Sequence, residues 1–231
     1  MVDDAVAASA KGATYLVVLQ ISSRAVTFAL NQYLLRFLSP ELLGVSVHLE
    51  LFKMGTMYFA RESLRVAAER RSDGGVQAAI NLSYLAIIAG LPIGAVLAEW
   101  YLSMTILDVP YFAQALRVSQ LAAFVELLME PAFTAVQQNL MYGARAAAEG
   151  SSVILKTLTV FGLFFWGHRH ELNLGVLPYA AGELMNSVVL TSVYWILTTP
   201  VARETRFSLF PTKIKRRCVR PRKCKLSRSP L

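Results

Sequence analysis

The sequence predicts an all-α integral membrane protein of six transmembrane helices, on three observations. The mean hydropathy is +0.46, with 55% hydrophobic and only 16% charged residues, where soluble domains carry about 25% charged residues. Six stretches, 13–35, 42–60, 76–100, 111–130, 151–166 and 172–199, come near the roughly 20 apolar residues that a helix rising 1.5 Å per residue needs to cross the hydrocarbon core. The charge is also unevenly placed. Residues 1–202 hold 12 Lys/Arg against 14 Asp/Glu, whereas 203–231 hold 11 Lys/Arg against one Glu. The formal charge of +8 thus belongs to a tail and not to a nucleic-acid-binding face of the folded part. Two regions follow: a six-helix transmembrane lobe over 1–202 and a basic tail over 203–231.

The first span should stop at Ser39 and Pro40, because a residue before proline is pushed out of the α region. The short connection to Leu42 makes spans one and two an antiparallel pair. Asp73, Gly74 and Gly75 form the turn into the third span, which Gly90, Pro92 and Gly94 interrupt in mid-membrane. Such an interruption is either a packing kink, the preferred reading, or part of a moving transporter wall. Pro131 lacks the N–H that would continue the fourth span, so 131–150, mixed in polarity, reads as an interfacial or kinked continuation. Asn81-Leu82-Ser83 spells a glycosylation sequon, but inside a span it is out of a glycosyltransferase's reach.

Orientation follows from loop cations. One side collects Lys11, Arg61, Arg65, Arg70, Arg71, Arg145, Lys156 and the tail; the other holds Arg36, Arg117 and Arg169. Both termini are expected in the cytosol. The N-terminus opens with Asp3 and Asp4 and runs into a full-length span, so no cleaved signal peptide is expected.

An ionisable group midway along a span costs at least about 2.5–3.5 kcal/mol on insertion scales. Those that persist are the first functional candidates. Gln20, Arg24, Thr27 and Asn31 fall on one stripe of the first span. They are either the polar wall of a water-accessible cavity or polar contacts gluing helices together, worth about 0.6 kcal/mol each. The guanidinium of Arg24, which does not neutralise, favours the cavity. In the second span Glu50 and Lys53 sit three apart and can partly cancel, and Arg61 extends the cationic wall toward one mouth. Arg36 lies at the opposite mouth, where snorkelling also accounts for it. Glu126 and Glu130, one turn apart at the end of the fourth span, are either a coupling-cation or proton site or counter-charges for Arg24 and Lys53. Glu183, Ser187, Leu190 and Tyr194, with Asn186 beside them, give the sixth span a weaker polar edge.

Cys218 and Cys224 lie in the tail without zinc-site spacing or histidine partners, and His48, His168 and His170 form no ligand motif. There is no Walker loop, G-x-S-x-G or G-x-G-x-x-G sequence, and no nucleophile–base pair. Neither a metal, nor another cofactor, nor catalytic residues are expected.

These residues carry a resemblance. GATYL (12–16), Arg24 followed by VTFALNQYLLRFLSPELLGV, ARESLR (60–65), AINLSYLAIIAGLP (79–92), FVELLMEPAF (124–133) and FSLFP (207–211) are together similar to the Rft family of eukaryotic endoplasmic-reticulum proteins. That family belongs to the superfamily of multidrug, oligosaccharidyl-lipid and polysaccharide exporters. The likeness runs from about residue 10 to 214. It implies one N-terminal lobe of a two-lobe flippase-like fold in the endoplasmic reticulum membrane, assisting translocation of a dolichyl-diphosphate heptasaccharide from the cytosolic to the lumenal leaflet for N-glycosylation. By similarity Arg24, Arg36, Arg61 and Arg65 match the family's cationic positions. With Gln20, Asn31 and Lys53 they would line the diphosphate and glycan path, while Glu50, Glu126 and Glu130 balance charge or couple a cation. The alternatives are a non-transporting accessory protein acting with other glycosylation-pathway membrane proteins, or a cation-coupled antiporter. Family members look about twice as long, and after Ile214 the chain turns into an atypical basic run. This reads as a truncated or mispredicted gene product, or else as an isoform whose tail meets anionic lipid. A lone lobe would not be expected to transport by itself.

Overall fold

The computed structural model describes residues 39–70, 75–104, 109–205 and 207–212, with scattered positions between 21 and 32 that are helical. Gln20, Asn31, Arg36, most of the first expected span and the basic tail after 212 lie outside the described residues.

Ser39 and Pro40 start a helix. The Leu42 N–H donates to Ser39 Oγ (3.3 Å), Pro40 takes the position where no N–H is needed, and Glu41 sits in the first turn facing the positive end of the dipole. Helix α1 (Pro40–Met57) passes into a wide π turn, Tyr58–Glu62, and then into α2 (Ser63–Arg70). The helix thus runs ten residues past its expected end at 60, because ARESLR is rich in good helix formers and no proline or glycine lies between 60 and 70; the expected turn at Asp73 and Gly74 lies outside the described residues.

Helix α3 (Gly75–Met104) is continuous through Pro92. Its glycines serve close packing. A Cβ on Gly90 would stand 2.3 Å from Leu127 Cδ1 and 3.0 Å from Ala60, and one on Gly94 would stand 2.8 Å from the Phe124 ring and 3.0 Å from Thr56. Helices α4 (Phe112–Leu127) and α5 (Glu130–Gln138) meet at a 41° bend. Of the two readings of 131–150, the kinked continuation describes α5, and the remainder opens α6 (Tyr142–Arg169). Helix α7 (Leu177–Thr205) completes the described helices.

Among the described residues α3, α6 and residues 177–203 are each long and apolar enough to cross a membrane, and α4 with α5 passes the same test as a bent pair, which would make a fourth, broken span. Helix α1 has 18 residues but carries Glu41, Glu50 and Lys53, which sets it apart from these four. The broken span exposes backbone carbonyls that hydrocarbon would leave unsatisfied. Two α7 side chains answer them: Thr191 Oγ1 donates to Val125 O and Trp195 Nε1 to Leu128 O, each at 3.0 Å.

Helix α7 packs along α6 and α4, and α3 packs against α4 and α5 and against the α1–α2 rod. Toward the Pro40 end the core is Val45, Leu49, Phe52, Ala98, Phe112 and Leu116; toward the other it is Met129, Phe133, Val136, Leu190 and Tyr194. Large apolar side chains such as Ile88, Val96, Phe165 and Ile196 face outward, as lipid contact requires. Beyond α7, residues 207–212 fold back over α3. Leu209 is buried with Ile80, Ala135 and Ala202, and side chains of α3 bond to this strap's backbone: Tyr84 to Leu209 O (3.0 Å), Gln77 to the Ser208 N–H (2.8 Å), Asn81 to Thr212 O (2.7 Å). The sequon asparagine is therefore engaged in packing.

Candidate functional site

Between α1, α6 and α7 lies a cleft of about 810 Å³, within the roughly 300–1,000 Å³ of small-molecule sites. Leu43, Val47, Met54, Val153 and Val160 supply apolar wall, and Glu50, Lys53, Arg61, Glu126, Lys156 and Glu183 supply charge. Helix phase brings these groups together. From Lys53 to Arg61 a straight α-helix would over-rotate by about 80°; the π turn winds less per residue, which keeps Arg61, and Arg65 after it, on the side of Lys53. The α4–α5 bend presents Glu126 and Glu130 from opposite sides of one break.

The outcome is a single alternating chain of charges drawn from six helices and the π turn. Lys156 pairs with Glu183 Oε1, and Glu183 Oε2 lies 2.7 Å from Lys53 Nζ. Lys53 Nζ also holds Glu126 Oε2 at 2.8 Å. Arg61 Nη1 reaches Glu126 Oε1 (3.4 Å) and Glu130 Oε1 (3.1 Å). Arg65 closes the series with two bonds to Glu130, Nε to Oε2 (3.0 Å) and Nη2 to Oε1 (2.7 Å). Ser187 Oγ lies 3.2 Å from Glu126 Oε2, and the Arg65 guanidinium stacks 3.8 Å over the Phe133 ring. Lys53, Glu126, Glu130 and Glu183 are buried. Burying an ion is costly unless it is paired and hydrogen-bonded, and here each carboxylate holds two cations. Four cations face three carboxylates, so the series ends in cations and keeps one positive charge in excess.

The structure brings together Lys53, Arg61, Arg65, Glu126 and Glu130 among the residues singled out in the sequence. Glu50 lines the cleft on its exposed side; the expected Glu50–Lys53 cancellation gives way to Glu126 and Glu183, whose carboxylates reach Lys53 across helix boundaries. Arg24 stands exposed, its backbone carbonyl accepting a hydrogen bond from Thr27 Oγ1 (2.9 Å), and the carboxylates considered as its counter-charges bind Lys53, Arg61 and Arg65 instead. Thr27, from the same stripe, is buried and lines the cleft. Gln20, Asn31 and Arg36 fall outside the described residues.

Two members were missed. Lys156 was counted among loop cations although it lies inside the fifth span, and Glu183 was given only a weak edge. The cost of a mid-span charge, applied to Arg24 and Lys53, marks both equally well. Among the described residues no group of three His, Cys, Asp or Glu is placed to hold a metal.

The model of the family described as Rft protein matches residues 8–227. The chain is 31% identical over 229 residues to the Man(5)GlcNAc(2)-PP-dolichol translocation protein RFT1 of Yarrowia lipolytica, covering 90% of this chain and 34% of the relative. It is 28% identical over 242 residues to the protein of that name from Eremothecium gossypii (92% and 44%) and 31% identical over 211 residues to that of Mus musculus (81% and 38%). The chain therefore spans between about a third and under half of these curated relatives. No solved structure matches.

Proposed function

The chain belongs to the Rft protein family, and from that premise we propose that its cleft receives the diphosphate head group of a dolichol-linked oligosaccharide and assists its passage from the cytosolic to the lumenal leaflet of the endoplasmic reticulum membrane. The observation that supports this most is the row of Lys53, Arg61 and Lys156 along a cleft walled partly by apolar side chains, with Arg65 continuing the series beyond it at Glu130. A diphosphate entering a low-dielectric layer needs fixed donors, and arginine pairs with phosphate bidentately. The chemistry asked of the protein is binding and exchange of charge partners rather than bond making.

In this reading the lobe has six spans: the first predicted one, α1, α3, the broken α4–α5, α6 and α7. It is the N-terminal member of a two-lobe flippase-like fold, with Arg24, Arg36, Gln20 and Asn31 extending the path and Glu50, Glu126 and Glu130 balancing charge. Alternating helix directions gather Arg61, Arg65, Arg145 and Arg203 at the end where α2 and α7 finish. By the positive-inside rule that end, with both termini, is cytosolic.

A second reading has an observation of its own. The charges satisfy one another without a ligand, as they would in an accessory protein whose ion pairs only hold helices together. A matched neutralisation separates the two. Cells depleted of their own family member would receive the chain within its full-length protein, carrying Arg65→Gln with Glu130→Gln, which leaves Arg61 paired with Glu126. Loss of lipid-linked oligosaccharide use despite normal protein level supports head-group binding; full complementation supports the accessory reading and overturns the first.

A further inference from the structure

We propose that Glu183 is a built-in stand-in for a phosphate of the ligand, so that the anion subsite between Lys53 and Lys156 is self-occluded until a phosphate-class anion displaces the carboxylate. The inference rests on the head-group reading above and adds to it a subsite and its control. Glu183 spreads its two oxygens over two ammonium groups, Oε1 to Lys156 and Oε2 to Lys53, as two oxygens of a phosphate would. Helix packing is built for this contact. Gly182 lets α7 approach α6 at this level: a Cβ there would stand 2.3 Å from Val160 Cγ2 and 3.4 Å from the carbonyl oxygen of Lys156.

The two ends of the charge chain differ in how readily they exchange. Glu130 is 1% exposed and takes directional guanidinium bonds from Arg61 and Arg65, a fork geometry that resists substitution. Glu183 is held by ammonium groups, compact charges on flexible stems with no fixed fork, and the Lys156 side chain is 31% exposed in the cleft. Even with Glu126 on Lys53, the series has one cation more than its carboxylates match, and exchanging the single charge of Glu183 for a phosphate carrying about −1.5 to −2 at pH 7 makes up that deficit. Charge matching therefore favours the incoming anion at the lysine end, while the arginine end stays locked and orients it. The anion can be a lipid's diphosphate head group or free pyrophosphate; the chemistry at the lysines is the same.

The test uses the purified chain in phosphatidylcholine nanodiscs, with inorganic pyrophosphate in one arm and a polyprenyl diphosphate in the other. Releasing a self-occluded site raises apparent affinity by the inverse of its open fraction, so a site open about one-tenth of the time should bind about tenfold more tightly in Glu183→Gln. Adding Lys156→Gln should abolish the gain. A gain in both arms, or with only the lipid or only pyrophosphate, supports the proposal and identifies the source. Unchanged or weaker binding in both arms overturns it. Should Glu183→Gln fail to fold, Glu183→Asp keeps the charge but shortens the reach to Lys156, and it must still bind more tightly than wild type or the proposal falls. The underlying reading has a separate readout: if Arg61→Gln and Lys53→Gln leave wild-type lipid binding unchanged, head-group binding itself fails, whereas a loss there with no gain at Glu183 removes only the self-occlusion.

Discussion

Lys53 sits between two buried carboxylates, 2.8 Å from Glu126 and 2.7 Å from Glu183, and its worth lies in what its removal would leave behind. Lys53→Met should destabilise the protein by up to about 3–5 kcal/mol, because the buried Glu126 and Glu183 would each keep only one of their two cations. Adding Glu183→Gln should recover part of that loss. Arg117→Gln, which breaks an exposed pair with Glu99, should cost under about 1 kcal/mol. Thermal unfolding in detergent of the four proteins checks the ordering. At this scale the sequence was legible by cost alone: a charge at mid-span asks for a partner, and that marked Lys53, Glu126 and Glu130. The partners themselves were not legible, since Glu50 lies near Lys53 along one helix while Glu126 and Glu183 reach it only through packing of α4 and α7. Lys156 and Glu183 answer to the same rule, being a cation within the fifth predicted span and a carboxylate within the sixth.

Helices took their boundaries from length and local propensity, which explains where the expected spans and the structure part. Ser39-Pro40 read as a stop and is also a start, since proline favours the first helical turn. The π turn at Tyr58–Glu62 left no mark in hydropathy, and the stretch 131–150, mixed in polarity, concealed a short helix and the first turns of a long one. Gly90, Pro92 and Gly94 read as an interruption of the third span, whereas α3 runs through them unbroken and its glycines admit neighbouring side chains; that role predicts a contrast. Gly90→Ala places a methyl group against Leu127 and Ala60 and should cost about 1–3 kcal/mol by overpacking. Gly44→Ala in α1 meets open space and should gain up to about 1 kcal/mol from helix propensity. Opposite signs in the two melting temperatures are expected; a gain at Gly90 would show that α3 does not approach α4 as described.

Across the whole molecule, the strap at 207–212 ties the end of α7 to the start of α3 through Gln77, Asn81 and Tyr84. Asn81→Ala removes its bonds to both the carbonyl and the N–H of Thr212, so amide exchange in the strap should rise by about tenfold or more, for a loss near 1.5 kcal/mol. Exchange in α6 should stay unchanged. The all-helical class was legible from composition, because backbone in hydrocarbon must satisfy itself within helices or a closed barrel. The count of spans was less so: among the described residues three helices qualify by length and composition and a fourth only as a bent pair, with α1 set apart by its charges. The same charges decide the central claim, that the cleft holds a diphosphate head group through Lys53, Arg61 and Arg65. Its most direct measurement is equilibrium binding of a dolichyl-diphosphate oligosaccharide to the chain in nanodiscs, wild type against Arg61→Gln. The expected result is at least about tenfold weaker binding, equivalent to 1.4 kcal/mol, with no change toward a dolichol lacking the diphosphate; equal affinity of the two proteins for the diphosphate lipid would contradict it.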